Sequence, residues 1–293
     1  MKNEKDKKFK YFSMFTGIGG FELGIGEKGR CIGCSEIDKD ATRLLSERFP
    51  SIKNWGDCTK IRPEDLPDFD MLCGGFPCQA FSIAGKRRGF EDTRGTMFFE
   101  VARILEVKRP KIVLLENVKG LLNHNKGETF SVILEALDEL GYETQWMVLN
   151  SKFFGVPQSR ERVFIVGNIR GECRPEILPF RKSNKKSNQS SQRIKKISST
   201  RHCLQSPIRQ AKFTRRNPWL YTALNESNGD NVKIRRMTPE ECERLQSFPE
   251  GWTKGFANAT RYKMLGNAVT VNVIKSIMKT LSSKHLNTTT TSN

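Results

Sequence analysis

A doubly wound, mostly parallel α/β sheet carrying a small inserted domain is the fold class that this 293-residue sequence predicts. Three observations lead there. Between residues 10 and 167 short apolar runs alternate with helix-length segments, which is how successive parallel β-α units read. Several of the apolar runs stop at glycines or acids, the residues that open a ligand crevice beyond the carboxyl ends of such a sheet. The alternation then breaks at Asn168, and helical patterning returns only after Arg235.

In chain order, the strands are expected at residues 10–15, 30–36, 69–73, 111–115, 143–149 and 162–166, and the helices between them at 21–27, 39–48, 96–107 and 128–140. Thr238-Pro239-Glu240-Glu241 reads as a capping box with proline in the first turn, opening a helix that runs to about Gln246. A last amphipathic helix is expected at 268–281. These elements divide the chain into a basic tail (1–9), a catalytic and cofactor-binding part (10–167), an insert (168–233), a return to the first domain (234–284) and a disordered tail (285–293). The insert begins with a nearly low-complexity run, KSNKKSNQSSQ at 182–192.

Fifty Lys and Arg against 32 Asp and Glu leave a net charge of +18, the balance of a protein that meets a polyanion. Residues 168–218 hold 14 of the cations and 2 of the acids, so most of the excess sits in the insert. No apolar run is long enough to span a membrane, and the opening MKNEKDKKFK has no signal-like core, which predicts a cytoplasmic protein. Eight cysteines in that compartment are expected as free thiols. Cys31 and Cys34 have metal-like spacing, but no second pair follows and the histidines (His124, His202, His285) are scattered. Both cysteines read as small apolar residues of a buried strand, and no metal is expected.

Two groups of residues carry chemistry. At the first strand end, FTGIGGFELG holds Gly17, Gly19 and Gly20, which permit a tight turn. Glu22 stands where a dinucleotide fingerprint wants a small residue, so an NAD-type phosphate cradle is disfavoured. Glu36 in SEID can accept from both ribose hydroxyls, and Asp57 with Cys58 marks a third strand end. An adenosine ligand without phosphates, such as S-adenosylmethionine, suits this set. The second group begins with GGFPCQAFS at 74–82, a cysteine on a glycine-led turn where a strand stops. Glu116 closes KIVLL, where poor solvation lets a carboxyl hold a proton. Arg160 and Arg162 share one face of an extended QSRER, placed either to ion-pair with structural acids or to polarise a carbonyl oxygen and lower a nearby thiol pKa. A thiolate adding to an electron-poor ring, a proton from Glu116 and a methyl donor across the cleft would methylate a pyrimidine.

FTGIGGFELG, SEID, GDCT, GGFPCQAFS, ENVKG, QSRER, RRMTPEECERLQSFP and LGNAV resemble, in order, the motifs of the DNA (cytosine-5) methyltransferases. The resemblance implies a cleft between a cofactor domain and a small recognition domain, with double-stranded DNA held in it. It implies Cys78 as nucleophile at cytosine carbon 6, Glu116 at ring nitrogen 3, Arg162 at the carbonyl and Arg160 near the cysteine. Phe15 would face the adenine, Glu36 the ribose, Asp57 the adenine amine, and Asn267 with Val269 the methionine end; Ile37, Cys58 and Pro77 complete the cofactor wall. Many relatives carry an aromatic where Ile37 stands. Gln79, Ser82 and the loop residues Lys86, Arg87, Arg88 and Arg94 are the implied DNA contacts, and the target base must be flipped out of the helix. The same resemblance implies a microbial monomer with S-adenosylmethionine as cofactor and a cognate restriction endonuclease as functional partner. Tyr221-Thr222-Ala223 and Asn228-Gly229 are the expected base-reading part of the insert. A tRNA cytosine-5 methyltransferase, and a nucleic-acid-binding protein with a decayed methyltransferase fold, are the open alternatives.

Overall fold

The computed structural model describes residues 8–77, 97–171, 222–225 and 232–282. Cys78, Gln79, Ser82, Lys86, Arg87, Arg88 and Arg94 fall outside the described residues, as does most of the insert. The first strand, β1 (Phe9–Met14), leads through the glycine turn to α1 (Gly20–Ile25), β2 (Gly29–Ser35) and α2 (Lys39–Arg48). There follow β3 (Met71–Gly75), α3 (Met97–Lys108), β4 (Ile112–Val118), α4 (Glu128–Glu139), β5 (Tyr142–Asn150) and β6 (Glu161–Ile169). A separate hairpin-like pair, β7 (Thr222–Asn225) and β8 (Val232–Arg235), precedes α5 (Pro239–Leu245), α6 (Asn258–Asn267) and α7 (Val271–Ser282).

The large sheet has the order β2-β1-β3-β4-β6-β5. The first four strands are parallel neighbours, and β6 runs antiparallel to both β4 and β5. Period-2 alternation sends the strand side chains to two layers of helix. Phe12, Leu72 and Val113 meet Phe98 and Leu105 of α3 and Ile133 and Leu137 of α4 on one face. Tyr11, Met71, Leu114 and Phe164 meet Phe21 of α1 and Val273, Ile274 and Ile277 of α7 on the other. A third cluster joins Ile18 and Leu44 to Cys242, Leu245 and Leu265, so α2, α5 and α6 pack together at one end.

Local chemistry explains the boundaries. Asp38 caps α2, its carboxylate accepting from the Asp40 and Ala41 amides at 3.0 and 3.1 Å. The expected capping box is present at α5, with the Thr238 side chain accepting from the Glu241 amide and the Glu241 carboxylate accepting from the Thr238 amide. Cys34 is buried and Cys31 half-buried on β2, and the five cysteines among the described residues are free thiols.

Four details depart from the sequence reading. The sheet continues to Ile169, past the expected break at Asn168, because Asn168 and Ile169 still pair with Ile112 and Tyr142. The Gly56-Asp57-Cys58 stretch ends no strand; it follows an isolated bridge between Cys34 and Asn54, and the Ser35 hydroxyl of β2 donates to the Gly56 carbonyl at 2.7 Å. The expected last helix starts at Val271 instead of Ala268, and α6 before it was not foreseen, because its mixed residues form no clear apolar stripe. Finally, Gly74 and Gly75 do not turn the chain. Both lie within β3, and neither has a positive φ. A Cβ on Gly74 would stand 2.5 Å from the Met14 carbonyl oxygen of β1, and one on Gly75 would stand 3.0 Å from Glu116 Oε2. The pair is there for close approach.

Glu22 lies buried on α1. Burial, eased by the Ser13 hydroxyl, pushes its carboxyl up to about 7. Because the folded state holds this proton more tightly than the unfolded one, the contribution of Glu22 to stability is fully present below the ordinary glutamate value and is lost as pH rises through about 7. The loss by pH 8 is on the order of 3 kcal/mol, and Glu22→Gln should remove it, flattening the plot of denaturation midpoint against pH between acid and pH 8. Gly74→Ala should cost about 1–3 kcal/mol in urea unfolding at any pH.

Candidate active site

From β1 the chain adds β2 on one side and then β3 and β4 on the other, so the strand order reverses between β1 and β3, which run parallel. Doubly wound sheets bind ligands at such a switch point, beyond the carboxyl ends of the strands. A cleft of about 510 Å³ opens there, within the range of small-molecule sites. Its walls include Phe15, Gly17, Glu36, Ile37, Asp57, Cys58, Pro77, Glu116, Arg160, Arg162 and Asn267, eleven residues that the sequence singled out.

One wall is built around Glu36. Its Oε2 accepts from the Gly17 amide at 2.6 Å, and its Oε1 accepts from the Ile37 and Asp38 amides at 2.9 and 2.8 Å. The Asn54 side chain fixes the backbone behind it, accepting from the Glu36 amide and donating to the Glu36 carbonyl. A carboxylate oriented by three N–H groups keeps its shape while lone pairs remain for further donors. Beside it Ile37 is 72% exposed, an apolar face held open to solvent at the edge of the cleft. Phe15 has a φ of 53°, a left-handed conformation that a bulky residue rarely adopts. Asp57 accepts from the Thr59 amide and hydroxyl, which hold its carboxyl below the usual range.

These features fit a nucleoside without phosphates. The Gly17 amide, which a phosphate cradle would use, is already taken by Glu36. α1 is too short to offer much of a dipole, and Lys263, the one lysine in the cleft wall among the described residues, is paired with Asp38. Gly19, Gly20 and Val269 are not part of the wall. A Cβ on Gly19 would strike the Phe49 ring at 2.5 Å, and one on Gly20 would strike Val269 at 2.8 Å. Those glycines let α1 pack against its neighbours, and Val269 is buried against them.

The opposite wall holds the charged groups. Glu116 is at the end of β4 with its side chain 12% exposed, and Arg162 Nε lies 3.1 Å from its Oε1. Burial raises the Glu116 pKa, and the two arginines oppose that rise without cancelling it. Arg160 is buried; its Nη2 donates to the carbonyls of Gly266 and Ala268 at 3.1 and 2.9 Å. Burial first, and then Arg162, bring its pKa down to about 9. The expectation that both arginines reach one place holds, but they do different things. Arg162 meets the carboxylate, whereas Arg160 ties the start of β6 to the end of α6 and the residue after it.

Asn117, which the sequence reading passed over, sits buried between these walls. Its amide donates to the Phe76 carbonyl at 2.8 Å, and its Oδ1 accepts from the Val118 amide. The stretch that ends at Pro77 is thereby pinned to β4. An asparagine after a strand acid was visible in ENVKG, but its partner appears only when β3 and β4 are set in register. Asn54 and Lys263 were missed for the same reason.

The fold is a doubly wound α/β sheet whose cleft sets an amide-held carboxylate, Glu36, opposite a buried acid, Glu116. A family model, C-5 cytosine-specific DNA methylase, matches residues 9–222 and 182–283. The chain is 38% identical to the Type II methyltransferase M1.ScrFI of Lactococcus lactis subsp. cremoris, over 94% of this chain and 78% of that protein. It is also 38% identical to the Type II methyltransferase M.NgoBI of Neisseria gonorrhoeae, over 92% of each. In fold it is similar to a Spodoptera frugiperda DNMT2 mutant, with a TM-score of 0.66 at 20% identity over 93% of this chain and 99% of that one. The protein therefore belongs to the C-5 cytosine-specific DNA methylase family.

Arg162→Gln should raise the Glu116 pKa further, because it removes the largest influence that favours the carboxylate; carbon-13 titration of the Glu116 carboxyl would read the shift. Asn117→Ala should cost about 1–3 kcal/mol in unfolding free energy, for a buried carbonyl left without its donor.

Proposed function

We propose that this protein transfers a methyl group from S-adenosylmethionine to carbon 5 of a cytosine in a specific short sequence of double-stranded DNA. The observation that carries the reading is the buried Glu116, paired with Arg162, in one cleft with the Glu36 wall and with Pro77, the residue before Cys78. Family membership and the Type II methyltransferase relatives support it. The cofactor, when bound, supplies a methyl group activated on a sulfonium. Phe15, Ile37 and Asp57 would hold its adenine, Glu36 its ribose and Asn267 its amino-acid end.

The chain's own residues prepare the base. Glu116, whose hold on a proton burial strengthens, would donate to ring nitrogen 3, and Arg162 would donate to the ring carbonyl, so both draw electron density from carbon 6. The Cys78 thiolate forms a bond to carbon 6, which makes carbon 5 nucleophilic; carbon 5 would take the methyl group as its bond to the sulfonium sulfur breaks, leaving a neutral thioether. A base then removes the carbon 5 proton, the double bond re-forms and the thiolate leaves. Arg160 acts by position, holding the backbone on which the methionine end would rest. Gln79, Ser82, Lys86, Arg87, Arg88 and Arg94 are the proposed DNA contacts, and the base is flipped at a cost of a few kcal/mol. We read the protein as a cytoplasmic monomer that protects DNA from a cognate restriction endonuclease, with the basic insert as its recognition domain.

Cys78→Ser should abolish methyl transfer while DNA binding persists. DNA with 5-fluorocytosine at the target should trap the enzyme covalently, since carbon 5 then has no proton to lose. Glu116→Gln should slow the chemical step by roughly 10²–10⁴-fold and spare cofactor affinity. Expression in cells free of cytosine methylation, with base-resolution conversion sequencing, should reveal 5-methylcytosine in one consensus; a signal confined to tRNA would overturn the DNA reading.

A further inference from the structure

Asp38 and Lys263 face each other across the same cleft. Asp38 follows Glu36 and Ile37 as the cap of α2, and Lys263 lies on α6, three residues before Gly266 and four before Asn267. Lys263 Nζ donates to Asp38 Oδ2 at 2.6 Å, joining residues 225 positions apart in the chain. The side chains are 61% and 33% exposed, so the pair sits at the mouth of the cleft. The hydrogen bond holds the Asp38 carboxyl below its usual range and raises the Lys263 ammonium, which also senses Asp40 and Glu36. Asp38 Oδ1 makes the two cap bonds to α2, leaving Oδ2 for the lysine.

We propose that the Asp38–Lys263 ion pair is a latch across the cofactor cleft that sets how long the cofactor stays bound. This inference rests on the cleft being the S-adenosylmethionine site. The pair joins the wall assigned to the ribose to the wall assigned to the methionine end. A bound molecule spanning both lies against the bridge, and its departure is eased when the bridge opens. Lys263 and Asp38 are positioning residues; neither takes part in the methyl transfer. Because both groups meet solvent, the latch is weakened by salt, which makes cofactor release salt-dependent even without DNA.

The test uses the full chain without DNA and tritiated S-adenosylmethionine chased with unlabelled cofactor. Asp38→Asn keeps a good helix cap while deleting the charge, and Lys263→Met keeps the length of the side chain. Each should raise the dissociation rate about two- to fivefold at low salt, and the double variant should add nothing further. The wild-type rate should climb with salt to the variant rate by about 0.5 M, where screening is strong, while the variant rates stay flat. A merely structural role would not move that salt dependence. Variants that release cofactor at the wild-type rate, or single effects that add in the double variant, overturn the latch and leave the active-site reading intact. A wild-type chain that binds no S-adenosylmethionine overturns both.

Discussion

The ion pair between Glu116 and Arg162 is the contact around which the cleft is arranged. It requires one strand of the sheet to run backwards. Glu116 lies near the carboxyl end of β4, whereas Arg160 and Arg162 lie at or just before the start of β6. In a wholly parallel sheet the start of a strand is at the far edge, away from every ligand. Because β6 is antiparallel, its first residues arrive where β4 ends, with Val118 opposite Arg162. The guanidinium then offsets part of the cost of burying the carboxyl, and Glu116 still has a raised pKa. The compensation is incomplete, and burial remains the larger influence on the carboxyl.

Across the cleft the strategy differs. Glu36 is held by backbone amides, from the glycine turn and from the start of α2, over which its charge is spread. Amides of the chain have little freedom to move, so the carboxylate is fixed without being neutralised. The same economy governs β3. Two glycines make room for the Met14 carbonyl on one side and the Glu116 carboxyl on the other, and Asn117 secures the backbone that follows.

Much of this was legible in the sequence because strand ends carry their function in local order. Alternating runs gave the β-α units, and Glu36, Glu116, Arg160 and Arg162 stood out as polar residues beside apolar strands. What stayed hidden depended on contacts between distant segments. Gly19 and Gly20 read as ligand-binding glycines, yet their neighbours are Phe49 and Val269. Gly74 and Gly75 read as a turn because a glycine pair usually marks one; only the register with Met14 and Glu116 reveals close packing. Nothing in the local sequence marks Lys263, because its partner lies 225 positions away. The helix α6 lacked the apolar periodicity by which helices are recognised.

The Arg160 contacts have a consequence for how such a protein can vary. Arg160 grips the carbonyls of Gly266 and Ala268, and Asn272 on α7 donates to the Phe154 carbonyl. α7 also packs on α1, its Ile274 filling the space left by Gly24. The segment after the insert is thus stitched to the segment before it by bonds that do not pass through the insert. A polypeptide cut within the insert would still present both halves of this seam, so the two pieces have the means to reassemble by fragment complementation. Lengthening or exchanging the insert likewise leaves the contacts of this seam unchanged.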